Sequence, residues 1–135
     1  MTASDDWRSR LRFWLQSDEP LLWLTRSVGD LTGELKQAGL SPLLIDLGGV
    51  EDKAALMNVL REKLALDDWF GANWDALNDA LYGPAASDTP EKVLIIQRPD
   101  DGPRLPDTDF DILTQIISDV ARSECSTLRG AVIVG

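Results

Sequence analysis

The sequence predicts an α/β fold in which helices pack against a parallel β-sheet. Three observations carry that prediction. Short apolar runs alternate with segments of helical periodicity from the first third of the chain onward. The run Lys92-Val93-Leu94-Ile95-Ile96 is apolar without interruption between polar ends, as a parallel strand covered on both faces tends to be. A length of 135 residues with 44% hydrophobic side chains suits one domain around one core.

Residues 5–17 read as an amphipathic helix, with Trp7, Leu11, Trp14 and Leu15 on one side and Arg8, Arg10 and Arg12 elsewhere. Three basic residues in an otherwise acidic chain favour a helix packed on the domain over one lying on a membrane surface. Leu21-Leu22-Trp23-Leu24-Thr25 reads as a short buried strand. Ser27 is placed to cap the next helix, with Asp30 three residues on. Val28, Leu31, Leu35 and Ala38 form the stripe of that helix, and Gly39 ends it. Leu43-Leu44-Ile45-Asp46-Leu47 is a second strand, closed by Gly48-Gly49. A helix over about 53–64 turns Leu56, Val59, Leu60 and Leu64 inward, and a shorter one follows from Trp74 to Leu81 with Asn73 as its cap. After the strand at 92–96, the stretch 99–106 is loop. A helix over about 108–123 sets Phe110, Leu113, Ile117 and Val120 at core spacing, and Ala131-Val132-Ile133-Val134 is the last strand.

The charge balance narrows the function. Acidic side chains number 23 against 13 basic, a net charge of −10. A phosphate backbone repels such a surface, so direct nucleic-acid binding is not expected; the charge suits a basic protein partner, or serves solubility alone. Five tryptophans is high for this length; some should be core, and an excess of them can supply interface anchors. The single cysteine, Cys125, forms no intrachain disulfide, which fits a reducing compartment. Met1 to Asp6 lacks the basic and apolar segments of a signal peptide, and no apolar run approaches the length of a membrane span, so a cytoplasmic protein is expected.

Catalysis is disfavoured on chemical grounds. There is no histidine, which removes the usual general base and the commonest zinc ligand. Asp100-Asp101 lies in a Pro/Gly-rich turn, and Asp107, Asp109 and Asp111 lead into a helix, where acidic residues serve as caps; neither has calcium-loop spacing. No metal and no cofactor are expected.

The informative stretch runs from Leu64 to Tyr82. Trp74, Leu77 and Leu81 form a core stripe, while Asp75 and Asp79, four apart, share one face with Asn78 and Tyr82 at its edge. Two like charges so placed cost stability. Asp75 recovers some of it from the helix dipole and Asp79 does not. Trp69 and Phe70 stand just before, followed by Gly71. Two readings are open here: a solvated acidic face over core aromatics, or an interaction surface in which carboxylates flank an aromatic anchor.

Leu64-Ala65-Leu66, Trp69-Phe70-Gly71, Asn73-Trp74, Asp75-Ala76-Leu77 and Asp79-Ala80-Leu81 stand in unbroken register over about 18 residues. In that register the segment resembles the barstar family of intracellular inhibitors of secreted bacterial ribonucleases. The resemblance implies a three-stranded parallel sheet over residues 42–135, in two or three layers. Residues 1–41 would then be an extension that adds a strand and helices to the same folded unit.

It also implies the partner and the contacts. The partner would be a basic, extracellular-type ribonuclease bound one-to-one. Asp79 would take the place of an RNA phosphate, and Asp75 would pair with a further basic residue. Trp69, Phe70 and the backbone of Gly71 would support them, with Asn73, Asn78 and Tyr82 around. Asp119, found by counting back from the last strand, would be an outlying contact. Asn78 stands where the family has a large aromatic, and Pro84 where it has a tryptophan. Both changes alter the rim and direct specificity toward a different nuclease. The alternatives are immunity to a toxin of another kind and a non-inhibitory adaptor.

Overall fold

A computed structural model describes residues 6–24, 31–63, 74–75, 77–78, 91–98, 105–123 and 128–134. In chain order its elements are α1 (Asp6–Leu15), β1 (Leu21–Leu24), α2 (Leu31–Gln37), β2 (Ser41–Asp46), α3 (Lys53–Lys63), β3 (Lys92–Gln97), α4 (Asp107–Ala121) and β4 (Leu128–Val134). The strands form one parallel sheet in the order β1-β4-β3-β2. The two most apolar runs, β3 and β4, are therefore central, and Val93 to Ile96 are all buried.

Alternation along the strands divides the interior into two cores. On one face, Ile45, Leu94, Ile96, Ala131 and Ile133 meet Leu56, Met57 and Leu60 of α3 and Phe110, Leu113, Ile117 and Val120 of α4. On the other, Leu22, Leu24, Val93, Ile95, Val132 and Val134 meet Leu11 and Trp14 of α1 and Leu31 and Leu35 of α2. Helices thus cover both faces, and the fold has three layers. The helical stripes expected for α1, α3 and α4 are the buried ones, with Trp7, Leu15 and Val59 partly exposed.

Helix ends follow local chemistry. Asp52 Oδ1 accepts the Ala55 amide at 2.9 Å, capping α3. Gly39, at φ 83°, ends α2. The Leu40 amide reaches Leu35 O at 3.0 Å and the Gly39 amide reaches Lys36 O at 3.0 Å, a Schellman closure. Ser27, Val28 and Asp30 lie outside the described residues, as does Leu64, and Ala38 is exposed rather than part of the stripe. Pro106 occupies the N-cap of α4 with no side-chain cap bond. Asp107 and Asp109 sit in the first turn instead, where the helix dipole favours them. Trp23 departs from the buried strand expected: it is 48% exposed while Leu22 and Leu24 are covered. As the outermost strand, β1 has a neighbour on one side only among the described residues.

One joint fastens the N-terminal elements to the sheet. Lys92 pairs with Leu128 and Val93 with Gly130, so Arg129 is an extra residue, a β-bulge in β4. The bulge turns the Arg129 side chain toward the end of α1. There Nη2 donates to Trp14 O at 2.7 Å and Ser17 O at 2.9 Å, and Nη1 donates to Glu19 O at 2.8 Å. The guanidinium also lies 4.3 Å from the Trp14 ring centroid. A cation is favourable at a helix C-terminus, where backbone carbonyls lack partners. Burial pulls the Arg129 pKa below its ordinary range, while Glu91 and Asp18 act in the opposite direction.

Candidate functional site

Beyond Lys63 the described chain resumes in helical conformation at Trp74-Asp75 and Leu77-Asn78. Leu77 is wholly buried in the core beneath α3 and α4, and Trp74 packs against that core from its margin. Asp75 is exposed and Asn78 half-buried. This is the division that the spacing predicts: apolar residues three apart point inward and the intervening carboxylate points to solvent. The turn is anchored through Leu77, so Asp75 is carried on a supported backbone.

That division has a measurable consequence. Leu77→Ala is expected to lower stability by about 2–5 kcal/mol, whereas Asp75→Asn should change it by less than about 0.5 kcal/mol. Thermal and urea melts of the two variants check it. Comparable losses would mean that Asp75 is structural.

The remaining site residues divide in two. Trp69, Phe70, Gly71, Asn73, Asp79 and Tyr82 lie outside the described residues. Asp119 is exposed in the last turn of α4 and accepts a hydrogen bond from Gln115 Nε2 at 3.1 Å. Its recorded partner thus belongs to its own helix rather than to the Asp75 turn. Asp109 and Asp111 share α4 with it, so the exposed side of this helix is strongly acidic. Among the described residues, no group of three or more His, Cys, Asp or Glu side chains is arranged to hold a metal ion. Asp100, Asp101 and Cys125 lie outside those residues.

A family model described as Barstar (barnase inhibitor) matches residues 40–131, more than half of the chain. The chain belongs to the barstar family. No curated protein matches it. Members of the family are inhibitors that bind ribonucleases, not enzymes. The barstar match takes in β2, α3, the Trp74–Asn78 turn, β3, α4 and the beginning of β4. It leaves out α1, β1 and α2, which supply much of the second core. No described helix is long and apolar enough to cross a membrane.

Two features escaped the periodicity of the sequence. Arg129 carries the joint with α1 through bonds spanning more than 100 positions. Trp23 lies edge-on to Phe110, with ring centroids 6.0 Å apart. Arg98 stacks 4.0 Å from the Phe110 centroid, and its Nη2 donates to Asp107 Oδ1 at 3.1 Å. No local motif announces either arrangement.

Proposed function

We propose that this protein inhibits a secreted bacterial ribonuclease in a one-to-one complex, acting in the cytoplasm of the cell that carries it. The observation that carries the reading is the barstar match over a segment whose described turn holds Leu77 in the core and Asp75 in solvent. A ribonuclease active site concentrates positive charge to hold phosphate and to stabilise its transition state. Carboxylates on a helix meet arginines there with charge-assisted, often bidentate, hydrogen bonds. Asp79 is the central carboxylate and Asp75 its support. Trp69 and Phe70 supply apolar contact, Gly71 its backbone, and Asn73, Asn78 and Tyr82 the surrounding rim. Asp119 contributes from α4 at the periphery. The net charge of −10 accelerates encounter with a basic enzyme, an effect that salt weakens.

Calorimetry against a panel of small secreted bacterial ribonucleases tests this, with Asp79→Ala run in parallel. Nanomolar binding is expected, weakened by the substitution at least roughly 100-fold, about 2.7 kcal/mol. Part of that loss comes from leaving the enzyme's arginines buried and unpaired. Tight binding indifferent to Asp79→Ala would move the site elsewhere. Absence of binding across the panel would favour a toxin of another class or an adaptor role.

A further inference from the structure

The two edges of the sheet are not alike. In β2, the Ser41 amide donates to Glu91 O and the Leu47 amide to Gln97 O. By alternation, the backbone groups of Pro42, Leu44 and Asp46 therefore face away from β3. Pro42 has no amide hydrogen to offer at that edge, a common protection against strand addition. In β1, the Ala131 amide donates to Pro20 O, so Leu22 and Leu24 pair with β4 while the N–H and C=O groups of Leu21 and Trp23 point outward. Neither proline nor lysine interrupts Leu21–Leu24. No hydrogen bond from another described residue reaches the outward groups.

Exposed aromatic side chains flank this open edge on both faces. Trp23 is 48% exposed on the α4 side, and Phe13 of α1 is 78% exposed on the other. Between α1 and β1 lies a groove of about 400 Å³ whose lining includes Arg10, Phe13, Trp14, Glu19, Leu21 and Leu22.

We propose that β1 pairs antiparallel with β1 of a second copy about a two-fold axis normal to the sheet, joining two sheets into one of eight strands. The edge is self-complementary in three respects. With the axis at Leu22, Leu21 stands opposite the partner's Trp23, and Trp23 opposite the partner's Leu21. All four outward-facing residues then exchange N–H···O bonds in register. Each exposed Trp23 ring covers a Leu21 on the same face. On the opposite face the two grooves and their Phe13 rings meet. The acidic α4 helices act against association, so added salt tightens this pairing. That dependence is opposite in sign to the one expected for capture of a basic nuclease. The contact draws on residues outside the barstar-matched stretch, so it stands or falls independently of the inhibitor reading.

Sedimentation of the full chain over a range of concentration and salt, together with amide exchange, tests the pairing. The expected result is a reversible dimer that salt favours. The Leu21 and Trp23 amides should gain protection with concentration, while Leu22 and Leu24, bonded to β4 in the monomer, should not change. Phe13→Lys, at a position that the monomer leaves open, should raise the dissociation constant at least ~10-fold and leave the monomer's circular dichroism intact. Trp23→Lys should do the same. A chain that stays monomeric at high concentration and high salt overturns the proposal. So does a dimer indifferent to both substitutions, or one in which Leu21 and Trp23 amides exchange freely.

Discussion

A chain shortened to residues 40–135 is expected to lose its cooperative fold, although it keeps all of the barstar-matched segment. The cut removes α1, β1 and α2, the elements that cover one whole face of the sheet. Val93, Ile95, Val132 and Val134 would then face water, and each such side chain contributes about 1.5–3 kcal/mol when buried. Four of them together approach roughly 6–12 kcal/mol, as large as the total stability of an ordinary domain at about 5–15 kcal/mol. Removing β1 also opens the edge of β4, a strand buried along most of its length. An open apolar edge invites aggregation. The expected outcome is insoluble or molten material that binds a hydrophobic dye and shows no sharp thermal transition. A soluble fragment with a cooperative melt would mean that the N-terminal elements are a separable addition, and that the exposed face repacks without them.

The sheet-forming runs and the helical stripes were legible because each is written locally. Lys92–Gln97 is apolar along its length, and Phe110, Leu113, Ile117 and Val120 recur at helical spacing. The inward Leu77 and outward Asp75 follow from the same arithmetic. Trp23 was not legible, because exposure there depends on β1 being the outermost strand, and strand order is decided by pairing between the first strand and the last. Four apolar residues in a row read the same at an edge as at a centre. Arg129 is a similar case: a lone arginine before a glycine has no local pattern, and its acceptors lie at the far end of the chain. Asp119 was reached only by counting, and the described residues give it a neighbour in its own helix. The Asp75–Asp79 pair rests on spacing and family register, which specify a face but not the enzyme that meets it.

The joint between β4 and the N-terminal elements supplies the second large effect. At Gly130 φ is 152°, and a Cβ built there would lie 2.0 Å from Pro20 O and 2.8 Å from Pro20 C. Both are backbone atoms of the residue just before β1, so no side chain can swing aside. Relief requires the strand to withdraw or the bulge to flatten, and either breaks the bond from the Ala131 amide to Pro20 O. Gly130→Ala is therefore expected to destabilise the protein by about 4 kcal/mol or more, against the modest gain that alanine gives by restricting the unfolded chain. For a domain of this size that lowers the melting temperature by roughly 10–20 °C. Arg129→Ala removes three bonds to carbonyls and the contact over Trp14, yet this partly exposed site admits water to the vacated acceptors, so the expected loss is smaller, about 2–3 kcal/mol. The order of the two losses distinguishes the causes. If Gly130→Ala costs more, close backbone approach governs the joint and the arginine secures a strand already seated. If the losses are equal and the double variant loses no more than either single one, both act by releasing α1 and β1 together, and the arginine is what holds β1 against the sheet.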